Sequence, residues 1–403
     1  MSTYGVADKS AAADSTAGID LSLVRGDVAF RMQRRIGLIP RQGLGIRRRA
    51  LFFAAITWMP LVIWAISTGK VWSVGPDESL LGHFGVHVRC LVAIPLFVIA
   101  EGLAQKSVPP LLVYFVESGL VSRADVPQFS ALIEGVARTK DRVLPWIIIF
   151  GVAIAWATIG VVLHNFEDMS WAVSGNRSGA GITFAGWWFA LVVRPLFMAF
   201  LLAWIWRGVL VFILFLRLAN FPLALVPTHP DRVGGLSFVD RFALVFSPVA
   251  FAVSAVAGAS FAHDIIYHGV DVNDIKGELI ATVVLVSALF RAPFLPLAKP
   301  LGKLKRSAIM EYGSIVARHG KLVHRRWVPG EDIGELEIPD APELGPVADI
   351  HAVFESVRNM RRLPMGKVAV ASIVVPAAVP MILVFAMQVP LHALLVKVLK
   401  TLI

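Results

Sequence analysis

The chain has 403 residues, a formal net charge of +10, and a composition that is 57% hydrophobic and only 16% charged. That composition excludes an ordinary soluble globular protein and indicates membrane-spanning helices. Most Lys and Arg residues fall in alternate loops, as the positive-inside rule describes, so the net charge needs no nucleic-acid partner. Residues 1–18 are polar and predict a disordered N-terminus without a signal peptide.

Seven apolar stretches are long enough to cross a bilayer, which takes about 20 helical residues. The predicted spans lie near Leu51–Ser67, Phe84–Ala104, Val143–Leu163, Phe184–Trp206, Phe242–Phe261, Leu279–Leu297 and Lys367–Val389. A shorter run, Leu391–Ile403, carries Lys397 and Lys400 and predicts an interfacial helix. Two topologies stay open, because a re-entrant segment at Pro376 and Pro380 would leave six spans and place the C-terminus inside.

The predicted fold is therefore an all-α polytopic membrane bundle. Its predicted parts are a basic amphipathic juxtamembrane segment at 19–49, a transmembrane bundle at 50–300 with cytosolic helices at 105–142 and a turn at 217–241, a cytosolic helical segment with an acidic linker at 301–365, and a C-terminal membrane helix with an interfacial tail at 366–403. We expect residues 19–39 to lie on the membrane surface. The apolar face of 347–362 needs a partner, either the bundle itself or a second subunit.

Three of the predicted spans carry an arginine that is followed by a proline, and all three run from outside to inside. The pairs are Arg89 with Pro95, Arg194 with Pro195, and Arg291 with Pro293. Their spacing of roughly 100 residues indicates three tandem two-helix hairpins followed by a C-terminal helix. The alternative is that a simple pattern recurs by chance.

Arginine is costly in hydrocarbon, so these three side chains are candidates for a functional site. In the functional interpretation, Arg89, Arg194 and Arg291 line a hydrated path and attract anions, and the adjacent prolines free backbone carbonyls that shape it. In the structural interpretation, each arginine is bound by carbonyls or by a carboxylate. Glu101 is the acidic residue deepest in a span, and we predict that it pairs with Arg291.

The cytosolic turn at 229–235 is the second candidate site. Its polar groups and paired glycines suit backbone binding of an anion, although a structural turn that starts the next helix is the simpler interpretation. The residues concerned are His229, Asp231, Arg232, Gly234 and Gly235. Its spacing matches neither a phosphate-binding loop nor a dinucleotide fingerprint.

Taken together, the sequence favours a channel or facilitator for anions or small anionic solutes. The alternative is a non-transporting scaffold or sensor that binds partner proteins through its cytosolic helices. A weaker alternative is an enzyme acting on lipid headgroups through His229 and Asp231, but familiar catalytic motifs are absent from the sequence. We expect no cofactor or metal and no nucleic acid. The expected surroundings are a bacterial inner membrane, a cytoplasmic N-terminus, anionic lipids at the cytosolic face, and a homo-oligomer.

Overall fold

The computed structural model describes residues 21–71, 79–162, 173–174, 181–327 and 344–387. In chain order the helices are α1 (Val28–Arg35), α2 (Ile46–Ser67), α3 (Phe84–Glu117), α4 (Val126–Lys140), α5 (Val143–Val162), α6 (Phe184–Leu218), α7 (Asp240–Tyr267), α8 (Val272–Arg291), α9 (Ala298–Trp327), α10 (Leu344–Arg358) and α11 (Lys367–Ala386). A two-residue antiparallel pair, Val173–Ser174 with Gly181–Ile182, precedes α6.

Seven of these helices, α2, α3, α5, α6, α7, α8 and α11, are long and apolar enough to cross a membrane. The all-α fold and the seven predicted spans are therefore confirmed. Helix α11 runs unbroken through Pro376 and Pro380, which supports seven spans over six. The predicted tail helix Leu391–Ile403, the N-terminal residues 1–18 and most of the acidic linker lie outside the described residues.

The outward faces of the spans carry large apolar side chains. Leu51, Leu144, Leu285 and Leu383 are each more than 60% exposed, although they belong to four different spans. Soluble proteins rarely expose contiguous apolar surface of this kind, whereas a lipid bilayer solvates it. The protein is thus an integral membrane protein.

Helix α7 lies at the centre of the described bundle and packs against α3, α8 and, most extensively, α11. Gly258 allows the close approach of α11, because a Cβ added there would lie 3.3 Å from Met381, 3.4 Å from Pro380 and 3.4 Å from Val384. Small residues at helix contacts are a common feature of membrane proteins, since close backbones gain van der Waals contact.

The repeat that the sequence suggests is visible in local geometry. Helix α3 contains a π-helical segment, Val88–Ala93, just before Pro95, and α6 contains one, Phe189–Val193, just before Pro195. A π-turn is one way to relieve the clash between a proline ring and the preceding carbonyl. The third copy differs, because α8 is followed instead by a 3₁₀ segment, Ala292–Leu297.

Helices α9 and α10, which follow the sixth span, pack on each other. Helix α10 packs along α9, and a Cβ added at Gly313 of α9 would lie 3.6 Å from Phe354 of α10. Val357 and Met360 are fully or nearly fully buried. The apolar face predicted at 347–362 therefore finds its partner within the same chain.

The N-terminal segment departs from its predicted position on the membrane surface. Leu21, Leu23 and Val24 are buried in the main core, and α1 packs near α5. Only part of the predicted apolar face, Met32 and Ile36, points outward and is exposed. The prediction was wrong for the buried part because sequence periodicity cannot tell a protein surface from a lipid surface.

Substitution at Gly258 tests the α7–α11 contact. We expect Gly258→Leu to lower the free energy of unfolding by about 1–3 kcal/mol, because the new side chain meets the side chains of Pro380, Met381 and Val384 on α11. Thermal unfolding in detergent measures the effect. The matched control is Gly277→Leu, since a Cβ at Gly277 of α8 meets nothing within 4 Å. Equal melting temperatures for the two variants would contradict this packing.

Candidate functional site

The buried carboxylate of Glu101 links α3 to α2 and to α6 at one end of the bundle. Glu101 of α3 accepts a hydrogen bond from Arg49 Nη2 of α2 at 2.5 Å and one from Arg207 Nη2 of α6 at 2.8 Å. Arg49 Nε also donates to Gln33 Oε1 of α1 at 2.6 Å. Each of the three charged side chains is at most 3% exposed. Such pairs are tightly specified, because breaking one leaves a charge without solvent.

The N-terminal segment covers this cluster. Asp27 caps α1 by accepting a hydrogen bond from the Phe30 amide at 2.6 Å, and its other oxygen accepts one from Arg207 Nη2 at 3.2 Å. Burial raises the pKa of Asp27 above its usual value, although Arg207 opposes that rise, and nearby Glu101 adds to it. The cluster holds two arginines and two carboxyl groups, so protonating Asp27 would leave it with a net positive charge.

Two further contacts hold the segment in place. Lys140 of α4, itself buried, donates to the backbone oxygen of Ser22 at 3.0 Å and to that of Arg25. Ser22 Oγ donates to Gln105 of α3. The cover over the arginine cluster is therefore fastened at several points along residues 22–27.

The cluster contains more hydrogen-bond donors than acceptors. Within the described residues, Arg49 Nη1, Arg207 Nε and Arg207 Nη1 are buried and have no hydrogen-bond partner. An unsatisfied buried donor costs about 1–3 kcal/mol. Arg207 also lies over the Trp204 ring at 5.0 Å, which stabilises its charge but satisfies no N–H. The arrangement is therefore suited to an additional anion or to water.

A cavity of about 150 Å³ adjoins Arg207 and lies between α1, α2, α5 and α6. Ten of its thirteen lining residues are apolar, and the three others are Gln33, Glu101 and Arg207. Trp146 of α5 also lines it, and its buried Nε1 finds no acceptor in the described ranges. The cavity is thus apolar along most of its wall, with Arg207, Glu101 and Gln33 as its charged and polar lining residues.

The structure separates the three predicted path arginines into two levels. Arg89 and Arg194 approach the same ring, with their Cζ atoms 6.0 Å and 5.4 Å from the centre of Phe189. Arg291 ends α8, far from that helix's outer end, and its partly buried side chain has an Nε with no partner among the described residues. The three arginines therefore do not form a ring at one depth in the bundle.

The predicted pairing of Glu101 with Arg291 is wrong. Glu101 pairs instead with Arg49 and Arg207, which are not among the predicted site residues. The reason is depth: Glu101 lies eighteen positions into the continuous run that begins at Phe84, at the level where α2 starts. The nearest arginines there belong to the cytosolic flanks of the spans.

The predicted prolines have different surroundings. Pro95 and Pro195 each follow a π-helical segment, as described above. Pro293 is buried, and its ring lies 3.9 Å from a Cβ added at Gly208, the neighbour of Arg207. Pro293 thus packs α8 against α6 at the level of the arginine cluster.

The turn at 229–235 binds its own carboxylate. Asp231 Oδ1 accepts hydrogen bonds from the amides of Val233 at 2.9 Å and Gly235 at 3.2 Å, and Oδ2 accepts one from Ser237 at 3.0 Å. His229 Nδ1 lies 2.9 Å from Asp231 Oδ1. The structural interpretation of this turn is favoured, because the amides that would bind an external anion are already engaged.

Backbone geometry supports the same interpretation. Arg232, Gly234 and Gly235 all have positive φ angles, of 61°, 69° and 98°. The Arg232 carbonyl accepts a hydrogen bond from the Arg361 amide at 2.7 Å, which ties the turn to the segment before α11. The turn thus joins cytosolic elements and does not present a free binding loop.

A second polar cluster lies at the outer ends of α3 and α7. The rings of His83 and His263 are 4.9 Å apart, and a small cavity of about 40 Å³ is lined by both, together with Arg89, Ser260 and Asp264. No group of three or more His, Cys, Asp or Glu side chains in the described part of the chain is arranged to hold a metal ion.

Sequence reasoning missed the contributions of Asp27, Gln33, Arg49, Trp146 and Arg207. One signal was present: a lone carboxylate inside a span requires a cation, and Arg207 directly follows the predicted fourth span. The choice between Arg49, Arg207 and Arg291 required the relative depths of four helices.

No family model matches this chain, and no match was found among curated proteins or solved structures. The geometry of the site is therefore the basis for any functional conclusion.

Substitution of Glu101 tests the arginine cluster. We expect Glu101→Gln to lower the free energy of unfolding by about 3–5 kcal/mol, because two buried guanidinium groups lose their shared carboxylate. Thermal unfolding in detergent measures this loss. Glu117→Gln, on the exposed end of the same helix, is the matched control and should change stability by less than about 0.5 kcal/mol. A comparable melting temperature for both variants would refute the network.

The hydrogen bonds to Asp231 in the turn at 229–235 predict that folding stability depends on pH. Burial alone would raise the pKa of Asp231, but the amides of Val233, Gly235 and Ser237, together with His229, lower it below its usual value. The ionised carboxylate therefore stabilises the folded state at neutral pH, and this contribution is lost as the pH falls through and below the usual carboxyl range.

We expect Asp231→Asn to lower the melting temperature at pH 7 and to have a progressively smaller effect toward pH 3. The comparison variant is Asp349→Asn, whose carboxylate is exposed. A difference between Asp231→Asn and the wild type that stays constant with pH would show that the charge of Asp231 does not matter.

Proposed function

We propose that the protein is a channel or facilitator for anions or small anionic solutes. The observation that carries the proposal is the pair of buried arginines at the inner end of the bundle, which share one carboxylate and retain three N–H-bearing atoms without acceptors among the described residues. The cluster as a whole is neutral when Glu101 and Asp27 are both ionised, so the attraction that we propose comes from the guanidinium N–H groups that lack acceptors.

The outer half of the bundle offers a second positive level. Arg89 and Arg194 both lie near Phe189, and each is only partly buried. Their role in the proposal is to draw anions inward from the outer face, whereas Arg207 binds them at the inner end. Arg291, on the same side of the bundle as Arg207, belongs to the inner level.

The surroundings are part of the proposal. We place the protein in a bacterial inner membrane with its N-terminus in the cytoplasm, since the basic loops then face inward. Exposed arginines of α1, Arg31, Arg34 and Arg35, suit anionic lipid headgroups at that face. The proposal includes a homo-oligomer, whose contact does not use the face of α10 that packs on α9.

The test is flux of chloride, nitrate and acetate into proteoliposomes. Arg207→Lys keeps a positive charge beside Glu101 and Asp27 but removes the planar fork of donors, so we expect at least about a tenfold loss of flux. The matched control is Arg217→Lys on the same helix, whose side chain is exposed and which should transport as the wild type does.

The same assay ranks the predicted path residues. Arg89→Gln, Arg194→Gln and Arg291→Gln should each lower flux, but by less than Arg207→Lys, because water screens their partly buried charges. Folded wild-type protein that gives no flux above empty liposomes would contradict the proposal.

A second candidate is a scaffold or sensor that binds a protein through α9 and α10. Met310, Ile315 and Leu322 of α9 are 76%, 48% and 58% exposed, although α9 is otherwise basic and continues beyond the span. Exposed apolar residues on a cytosolic helix are a common feature of interaction surfaces. Absence of flux, together with loss of partner binding in Met310→Ser and Leu322→Ser, would favour this candidate.

A further inference from the structure

The cavity beside Arg207 differs from a simple ion site in its shape and chemistry. Its volume of about 150 Å³ is roughly ten times the volume that one water molecule requires. Phe53, Phe150, Leu196 and Phe200 contribute to a wall that has few groups to hydrogen-bond water. A desolvated inorganic anion beside Arg207 would leave most of this apolar space unfilled.

The unpartnered donors of Arg207 and Trp146 suit a carboxylate. Arg207 and Trp146 both line the cavity, both are at least 97% buried, and each carries N–H donors without an acceptor among the described residues. A guanidinium can hold a carboxylate through two parallel hydrogen bonds, and an indole N–H adds a third donor. Unpartnered buried donors of this kind are satisfied when a ligand supplies the acceptors.

The opening of the cavity faces lipid. Met32 and Ile36 line the cavity and are 55% and 67% exposed, so they form its rim. The neighbouring surface of α5 is also apolar, with Ile147 and Ile148 each more than half exposed. A ligand can therefore reach the cavity from the bilayer without crossing the cytosolic cover formed by residues 22–27.

We propose that this cavity binds a single-chain amphiphile with a carboxylate head, such as a fatty acid, which reaches it from the bilayer. The head lies at Arg207 and Trp146, the first part of the chain fills the apolar space, and the remainder extends past Met32 and Ile36 into lipid. The inference rests on the proposed function, because it names the class of anion that the inner arginine site takes.

Asp27 would compete with such a ligand for the Arg207 guanidinium. It already accepts a hydrogen bond from Arg207, and the charged groups that face it are Arg207, Glu101 and, beyond Glu101, Arg49. With both carboxyl groups ionised the cluster is neutral, and with Asp27 protonated it carries one positive charge that the bound carboxylate neutralises. Protonation of Asp27 should therefore strengthen binding.

The test uses the full chain in lipid nanodiscs and dodecanoate labelled with ¹³C at its carboxyl carbon. We expect a carboxyl resonance distinct from that of dodecanoate dissolved in empty nanodiscs, and excess unlabelled dodecanoate should displace it. Labelled acetate has the head without the chain and should bind at least 100-fold more weakly. Dodecanol has the chain without the charge and should not displace the resonance.

Two variants locate the site. Arg207→Lys should abolish the bound resonance, and Ala199→Leu should do so without touching any charged residue, because Ala199 lines the apolar part of the cavity. The control Val209→Leu places the same side chain at an exposed position of the same helix. A bound resonance that persists in folded Ala199→Leu protein would overturn the inference.

The outcomes separate this inference from the proposed function. Acetate flux without a bound dodecanoate resonance would overturn the amphiphile site and leave the facilitator intact. A bound resonance that Ala199→Leu abolishes, without flux of any anion, would support the site and overturn the transport proposal. Equal affinity for acetate and dodecanoate would identify a soluble carboxylate as the ligand and overturn the role of the chain.

Discussion

The carboxylate of Glu101 is the constraint on which the inner half of the structure depends. It binds Arg49 at the start of α2 and Arg207 near the inner end of α6, so it fixes the relative depth of three helices. Through Arg207 it also fixes Asp27 and hence the N-terminal segment. A buried ionic group is weak evidence for net stability but strong evidence for one specific arrangement, since any shift in register would strand a charge.

Hydropathy predicted the seven spans because every lipid-facing helix must be apolar along its length, and that property is local in the sequence. Two of the three copies of the arginine–proline pattern share a π-helical segment, before Pro95 and before Pro195, which the pattern itself did not predict. The partners of Glu101 could not be predicted in the same way. Three arginines were within reach in principle, and only the packing of α2, α3 and α6 decides between them. The prediction of a membrane-surface position for residues 19–39 failed for their buried part for the same reason, because protein and lipid both accept an apolar face.

Stability of the fold alone does not account for the unpaired donors of the buried arginines. A network built only for stability would satisfy each donor, whereas Arg49 and Arg207 keep donors without acceptors in the described structure, and one of them borders an apolar cavity. The turn at 229–235 is the opposite case: Asp231 satisfies the local amides, and the turn then serves to join cytosolic elements. This contrast is why we assign anion chemistry to the buried arginines and a structural role to the turn.

The most direct test of the account is a double-mutant cycle between Arg49 and Glu101, with unfolding free energies of the wild type, Arg49→Met, Glu101→Gln and the double variant measured in the same detergent. Residues that share a buried ion pair couple by about 0.5–3 kcal/mol. We predict a coupling of at least about 1.5 kcal/mol, with the double variant more stable than the sum of the single losses implies. Additive losses would contradict a shared network at Glu101 and remove the basis for the anion site.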